Sequence, residues 1–306
     1  MARPLNKVKE VRLIERMSRR FKTKDNSVVV SIGDDAAVVR GPRGRYLLYT
    51  ADMLIESVHF KKGEDYDLVG YKAMAASIRD IAAMGGLPKY ALVTVGLPGK
   101  NADKIVRGLS AGISRCAKKF GVAVIGGDTN RSDRLIVDCF VAGEIEPENV
   151  VLRSTAKPGD FIFVSGSLGG SQAGRHLTFE PRVKEARFLV KNFKVNSMID
   201  LSDGLAMDLN RMARASRLGA LIFENKIPFA KGVLKTQAAL YDGEDYELLF
   251  TLSRNDAFRL FYKMTHRKTH FKFFPLGRMT DLFEGVKMVT CERKIKDVGC
   301  DGFQHF

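Results

Sequence analysis

Aspartates set among glycines or apolar side chains are the residues of this sequence best suited to chemistry. An unpaired carboxylate in apolar surroundings is costly, so such a group is normally paired, hydrogen-bonded or bound to a cation. No Cys/His set accompanies them, and oxygen ligands of this kind favour Mg²⁺ over zinc or a redox metal. The residues are Asp34, Asp35, Asp52, Asp80, Asp128, Asp200 and Asp203. Because Mg²⁺ usually keeps waters and substrate phosphates as its remaining ligands, the pattern predicts phosphate chemistry.

The first of these aspartates also have structural interpretations when each is taken alone. Asp34 and Asp35 stand in a Gly-Asp-Asp turn, where one carboxylate can point inward and the other can face solvent or cap a backbone N–H. Asp80 lies within a helical pattern, although aspartate is a poor helix former. It therefore needs a partner, either a cation or a salt bridge with Arg79 or Lys72.

The later aspartates also allow both a structural and a functional interpretation. Asp128 follows two glycines at a predicted strand end, which suits either a plain turn or a close approach of the backbone to a phosphate. Asp200 would end a strand and Asp203 would begin a helix. Asp203 is then either a simple N-cap or part of an anion site at the helix start.

Hydrophobic periodicity indicates the elements that must position these residues. The predicted strands are 28–39 in two short segments, 45–52, 90–97, 122–125, 135–144, 161–165, 197–199 and 246–252. The predicted helices are 11–17, 67–84, 101–120, 204–218 and 254–266. A Gly/Ser-rich loop at 166–171 is expected to open a further helix, and a polar connector near 146–160 separates two α/β units.

Composition describes an ordinary globular protein of 306 residues, with 45% hydrophobic and 28% charged residues, so two domains are expected. No window approaches the length of an apolar membrane span, and the start of the chain has no secretory signal pattern. The four cysteines show no close pair and no metal spacing, which is typical of reduced thiols. We therefore predict a cytoplasmic protein with no membrane partner.

The formal net charge of +15 has two interpretations, a field that attracts nucleic acid or polyphosphate and a solvated shell of Lys and Arg. The basic residues are spread over 16–24, 182–194, 254–272 and 293–296 with no nucleic-acid motif, so no nucleic-acid partner is predicted. The loop 166–171 lacks the lysine of a P-loop, and protein-kinase, G-x-S-x-G and H-E-x-x-H patterns are missing from the sequence.

Seven ordered motifs together resemble those of the thiamine-monophosphate kinase family, within the aminoimidazole ribonucleotide synthetase superfamily. They are IGDDAAV (32–38), TADMLIESVHF (50–60), YKAMAASIRDIAAMG (71–85), GGDTNRS (126–132), RSTAKPGD (153–160), IDLSDG (199–204) and GEDYELLF (243–250). The resemblance runs over nearly the whole chain, and it implies a two-domain α/β (α+β) fold. It further implies domains at 1–148 and 149–306, with the N-terminal sheet forming a barrel across a homodimer.

The resemblance also implies an activity and a set of site residues. ATP would be the co-substrate, and its γ-phosphoryl group would pass directly to thiamine monophosphate with the help of several Mg²⁺ ions. The implied metal ligands are Asp35, Thr50, Asp52, Asp80, Asp128, Asp200 and Asp203, of which Asp35, Asp80, Asp128 and Asp203 would be catalytic. The implied ATP contacts are Gly127, Asp128, Arg153 and Ser202, and the implied contacts with thiamine monophosphate are His59, Glu244 and Phe303.

Three departures from the family pattern bear on metal binding. Ala51 stands where the family usually has a second hydroxyl residue, Asn130 replaces a common threonine, and Asp242 replaces a glycine. Other functions remain open at this point: a selenophosphate synthetase-like or hydrogenase-maturation dehydratase-like enzyme, a non-catalytic nucleotide-binding regulator, or a basic scaffold with a decayed site. Both alternative enzymes normally carry a cysteine, early or C-terminal respectively, whereas the first cysteine here is Cys116 and the sequence ends in Gln-His-Phe.

Overall fold

Two β-sheets with flanking helices make up the computed structural model, which describes residues 9–21 and 23–300. The elements of the first half are α1 (Lys9–Ser18), β1 (Val28–Val30), β2 (Ala37–Arg40), β3 (Tyr46–Ile55), α2 (Tyr66–Ala83), β4 (Leu87–Leu97), α3 (Ala102–Phe120), β5 (Ala123–Arg131) and β6 (Ile136–Ile145). Its sheet has the order β1-β2-β3-β6-β4-β5, and all neighbours are antiparallel except β4 and β5.

Helix α2 carries the charged residues on which the site depends. Its N-terminus is capped by Asp65, and every residue from Val69 to Ala83 is buried. Glycines allow α3 to lie close against it, because a Cβ on Gly70 or Gly112 would overlap the backbone of the other helix. Since the helix is enclosed on all sides, its charged side chains must find partners inside the protein.

The second half forms a seven-stranded sheet of order β13-β12-β9-β11-β7-β10-β8, in which only β12 and β9 are parallel. Its elements are β7 (Phe161–Val164), α4 (Val183–Asn192), β8 (Val195–Asp200), α5 (Leu205–Ala215), β9 (Gly219–Phe223), α6 (Thr236–Tyr241), β10 (Leu248–Leu252), α7 (Arg254–Thr265), β11 (Phe274–Thr280), β12 (Gly285–Val289) and β13 (Ile295–Val298).

Both faces of this second sheet are covered at β7 and β10. Alternate residues point to opposite faces of a strand, so Phe163 and Phe250 join the core that also contains α2 and α3. Ile162 and Leu249 join a separate core with Leu209 of α5. The first core is continuous across both halves of the chain, and it fixes the position of one half against the other.

The predicted elements agree with the structure in most places and fail in two. The helices predicted at 67–84 and 101–120 are α2 and α3 within one residue at each end. The glycines before Asp128 do not end a strand, because that motif lies inside β5. The loop 166–171 opens no α-helix either. Gly169 and Gly170 have left-handed φ values of 88° and 68°, and only short 3₁₀ turns follow before α4.

No strand pairing joins β1 to β5 within the described residues, so the first sheet is open in a single chain. The barrel expected across two subunits involves a second chain and stays a prediction. Within the same described residues, no helix is both long and apolar enough to cross a bilayer.

Candidate active site

A cleft of about 570 Å³ lies between the two halves of the chain. The first half contributes Asp52, His59 and Arg79, and the second half contributes Arg153, Ser202, Asp203 and Glu244 to its lining. Asp35, Thr50, Asp80 and Asp200 are connected to these residues by hydrogen bonds or ion pairs. The structure therefore brings together most of the residues that the sequence singled out.

Arg79, on α2, is the cation at the centre of the carboxylates. Its Nη1 donates to Asp200 Oδ2 at 2.7 Å, and its Nη2 donates to Asp52 Oδ2 at 2.9 Å. Asp80 Oδ1 lies 3.6 Å from Nη1, and the guanidinium carbon lies 4.7 Å from the ring centre of Tyr246. Strands β3 and β8 and helix α2 thus meet at one buried arginine, which balances charge that would otherwise be costly to bury.

Asp80 is held on its other side by β3. Its Oδ2 accepts a hydrogen bond of 2.6 Å from Thr50 Oγ1. Burial raises the pKa of Asp80 well above its ordinary value, and the nearby charge of Asp52 adds to this, while Arg79 opposes it. A buried carboxylate with a raised pKa inside a cleft is typical of a functional site. The salt bridge considered from the sequence also exists: Asp80 pairs with Arg79 at 3.6 Å, whereas Lys72 pairs with Glu244.

Asp34 and Asp35 form a second acidic pair, held by Arg153. Both side chains are only 4% exposed, so the alternative in which one of them faces solvent is wrong. Asp34 instead accepts from the backbone N–H of Arg153 at 3.2 Å, and Arg153 Nη2 donates to Asp35 Oδ1. Asp35 Oδ2 is buried without a hydrogen-bond partner in the described part of the chain. Burial raises the pKa of Asp35 well above its usual range, against the opposing effect of Arg153.

The Asp200–Asp203 segment brings the second half of the chain to the cleft. Asp203 is not a helix N-cap: α5 begins after Gly204, which has φ +110° and makes no side-chain cap. Asp203 Oδ2 instead pairs with Arg211 Nη1 at 2.5 Å, and its backbone N–H donates to Asp208 Oδ2 at 3.0 Å. Sequence reasoning missed Arg211 and Asp208. The sequence pattern indicates them only weakly, because both lie on α5 and contact Asp203 only when the chain turns at Gly204.

His59 and Glu244 line both the cleft and a smaller cavity that adjoins it. His59 Nδ1 accepts from the backbone N–H of Ile55 at 3.0 Å, which places its ring proton on Nε2. Glu244 has a left-handed φ of 55°. Its Oε1 accepts from the buried Lys72 Nζ and, at 2.8 Å, from Tyr246 Oη. Phe303, the third predicted substrate residue, lies outside the described residues.

Gly127 and Asp128 are placed apart from the other candidates. Both lie on β5, the exposed edge strand, and neither lines the cleft. Asp128 Oδ2 accepts a hydrogen bond of 2.6 Å from Asn130 Nδ2, two residues along the same strand. Gly127 is needed for strand packing, because a Cβ there would overlap the carbonyl oxygen of Val93.

The described side chains around the cleft have the chemistry of a Mg²⁺ site, although they are not yet gathered into one. Among the described residues, no three His, Cys, Asp or Glu side chains are already arranged as a metal site. The donors are nevertheless carboxylate and hydroxyl oxygens, which are the ligands that this cation prefers. Asp35 Oδ2 is an acceptor buried without a partner, and such an atom calls for an ion, a water or a ligand. The donor set therefore fits a hard divalent cation.

Comparisons with known proteins first show the class of protein to which the chain belongs. Residues 33–145 match the family model of the AIR synthase related protein N-terminal domain, and residues 157–285 match that of the C-terminal domain. Hydrogenase maturation proteins share the fold alone: the HypE–HypF complex has a TM-score of 0.75 at 19% identity, with 94% of this chain and 98% of that chain covered. The chain is thus a two-domain AIR synthase related protein.

Individual relatives then define the family. A thiamine-monophosphate kinase of Bacillus subtilis is 38% identical over 76% of this chain and 80% of its own length. A thiamine-monophosphate kinase of Buchnera aphidicola from Acyrthosiphon pisum is 33% identical over 98% of this chain and 99% of its own. The solved structure of AaThiL complexed with AMPPCP and TMP superposes with a TM-score of 0.83 at 29% identity, with 100% of this chain and 99% of that chain covered. This chain belongs to the thiamine-monophosphate kinase family.

Proposed function

We propose that this protein transfers the γ-phosphoryl group of ATP to thiamine monophosphate, giving thiamine diphosphate and ADP. The observation that carries the proposal is the group of carboxylates around the buried Arg79, at a cleft that also contains Arg153, His59 and Glu244. Relatives across the family are thiamine-monophosphate kinases, and AaThiL was solved with an ATP analogue and TMP. The geometry of the cleft and the family of the chain both support this activity.

Donor and acceptor are both anionic phosphates, so the site must neutralise their repulsion and hold them in line. Asp35, Thr50, Asp52, Asp80, Asp128, Asp200 and Asp203 are the residues that would hold Mg²⁺. When bound, Mg²⁺ supplies positive charge to the phosphates. Arg153 provides a fixed positive charge for ATP beside Ser202, and it holds Asp34 and Asp35 in place. No general base is required, because the acceptor phosphate oxygen needs little or no deprotonation near neutral pH.

The acceptor binds where the cleft is lined by His59 and Glu244, with Phe303 as the further contact implied by the family resemblance. Glu244 stays anionic there, since the pKa of its carboxyl is lowered despite burial, chiefly by the neighbouring Lys72. A buried carboxylate of this kind accepts hydrogen bonds from an amine. The pyrimidine amine of thiamine is such a donor.

The active unit is a homodimer in which the first sheets of two chains form the barrel. β5 is an edge strand with exposed apolar side chains, and an edge of this kind pairs readily with another strand. Asp128 then completes the cleft of the partner subunit rather than that of its own chain. The domains at 1–148 and 149–306 and a cytoplasmic location complete the proposal.

The test is to incubate the purified protein with ATP, Mg²⁺ and thiamine monophosphate and to separate the thiamine phosphates by chromatography. Free thiamine serves as the parallel acceptor. Thiamine diphosphate formed from the monophosphate alone is the expected result. If ATP binds but no thiamine diphosphate forms, the proposal fails and a non-catalytic nucleotide-binding regulator becomes the better interpretation.

A further inference from the structure

A second cavity of about 410 Å³ adjoins the main cleft and shares His59 and Glu244 with it. Its floor includes His176, on a short 3₁₀ helix that follows the glycine-rich loop. The His176 side chain is only 12% exposed. Its Nδ1 is buried and has no hydrogen-bond partner among the described residues. Such an atom calls for an explanation, because a buried polar nitrogen without a partner destabilises the fold.

Glu244 is the nearest acidic group to this nitrogen. Glu244 Oε1 is already engaged by Lys72 and Tyr246, whereas Oε2 lies 3.8 Å from His176 Nδ1, beyond hydrogen-bond distance. The two atoms therefore stand side by side at the wall of one cavity, and each has capacity for a further hydrogen bond.

The loop that carries His176 is tied to the segment of Glu244. Ser171 Oγ donates to the carbonyl oxygen of Glu244 at 2.6 Å, and Gly169 N donates to both oxygens of Asp245 at 3.0 Å. Arg175 Nη2 also donates to Asp245, at 2.6 Å. These bonds hold the imidazole and the carboxylate in a fixed relation, as selective binding requires.

The charges around His176 favour its neutral form. Burial lowers the pKa of His176, and the positive charges of Lys72 and Arg175 lower it further, against the raising effects of Glu244 and Glu64. A neutral imidazole offers one donor and one acceptor nitrogen. Nδ1 in its acceptor form and Glu244 Oε2 together present two acceptors to a ligand.

We propose that His176 is a specificity-determining residue, which accepts one hydrogen of the amino group on the acceptor's heteroaromatic ring while Glu244 Oε2 accepts the other. The proposal rests on the proposed function, since it concerns recognition of the phosphate acceptor. A ring that carries a carbonyl oxygen in place of the amine has no exocyclic hydrogens to donate, because its remaining N–H lies on the adjacent ring nitrogen. It would place an acceptor oxygen against the two acceptors of the site. Sites that hydrogen-bond a substrate group discriminate strongly against analogues that lack it.

The experiment compares thiamine monophosphate with its analogue in which a carbonyl oxygen replaces the ring amine, in the wild-type protein, His176→Ala and His176→Asn. Loss of one hydrogen bond should raise the KM for thiamine monophosphate about tenfold in His176→Ala. The preference over the analogue should fall by a similar factor, while the KM for ATP stays constant. Asparagine places an amide acceptor near the position of Nδ1, so His176→Asn should restore much of the preference. His266→Ala, at an exposed position after α7, is the matched control.

The outcomes separate this inference from the proposed function. If the wild-type protein forms thiamine diphosphate and His176→Ala keeps the same preference over the analogue, His176 has no role in specificity and the inference is overturned. If the wild-type protein forms no thiamine diphosphate, the proposed function itself is overturned, and the inference with it. A fall in melting temperature with no change in either KM or preference would show a structural role alone and would also overturn the inference.

Discussion

The Arg79 junction and the β5 edge contain the same kind of residue in opposite surroundings. At the junction, Asp80 and Asp200 are buried, Asp52 is half-buried, and all three lie around one arginine contributed by α2. At the edge, Asp128 is exposed and bonds only to a neighbour on its own strand among the described residues. The junction satisfies its charges within one chain. The edge leaves Asp128 exposed on a strand that has no second neighbour among the described residues.

Strand register relates the position of Asp128 on the edge to that of Asp52 at the junction. Asp128 is paired with Thr94, Thr94 with Asp138, and Asp138 with Met53. Paired residues point to the same face of a sheet, while neighbours along a strand point to opposite faces. Asp52 follows Ala51 and precedes Met53, so its side chain and that of Asp128 lie on opposite faces of the first sheet. This difference supports the proposal that Asp128 serves the cleft of a second chain.

Removal of Arg79 should have the largest effect on the folded state. Arg79→Ala leaves the buried Asp200 and the half-buried Asp52 without their shared cation. The loss of one partner of a buried pair costs about 3–5 kcal/mol. Urea denaturation measures the change in the free energy of unfolding. The control is Arg115→Ala, which breaks an exposed pair with Asp67 and should cost at most about 1 kcal/mol. Equal losses in the two variants would contradict the special role of the junction.

A charge on the β5 edge should separate the subunits. Ile125 is 62% exposed, and Ile125→Lys places a cation where a second strand is expected to pair. Sedimentation should show a monomer for this variant and a dimer for the wild-type protein. Leu282→Lys, at an 87% exposed position in the second half, should remain dimeric. A monomeric wild-type protein with full activity would refute the dimer.

Arg153→Ala should act on ATP more than on the acceptor. The variant removes a positive charge from the cleft and leaves Asp34 and Asp35 without their arginine, so the KM for ATP should rise about tenfold or more. Steady-state kinetics with each substrate varied in turn measures this split. Arg259→Ala, which is exposed on α7, provides the control. Unchanged KM for ATP and kcat would remove Arg153 from the nucleotide site.

Thiol labelling tests which cysteines are buried, and it is the prediction with the smallest expected effect. Cys139, on β6, pairs with Asp52 on the neighbouring strand β3 and is buried. Cys116 is buried as well, and burial raises the pKa of its thiol to about 12. Cys291 is exposed. At pH 8 a thiol reagent should modify one cysteine rapidly, and Cys291→Ser should abolish that reaction. Rapid modification of Cys139 would show that the buried face of the first sheet is accessible to the reagent, which contradicts the structure.

Local patterns were sufficient to predict the elements that hold the site. The period of apolar residues located α2 and α3, and the aspartates in apolar surroundings indicated the cleft. Contacts between distant residues could not be predicted, because Arg79 and Asp200 are separated by 121 positions and Lys72 and Glu244 by 172. The left-handed φ of Glu244 also carries no local signal, since it is imposed by the bonds around it. The face on which Asp128 lies depends on strand register, which local periodicity does not specify.

The central claim is that one catalytic site combines the junction of one chain with Asp128 of the partner subunit. Asp80→Asn and Asp128→Asn are each expected to lower turnover by about a hundredfold or more. Asp67→Asn, at a half-buried position on α2 that does not line the cleft, should not. The decisive measurement is the activity of the two inactive variants after they are coexpressed as mixed dimers. A mixed dimer regains one intact site of two, so about a quarter of the wild-type activity should return in a random mixture. No recovery in a preparation shown to contain mixed dimers would contradict the claim and place both carboxylates in the site of a single chain.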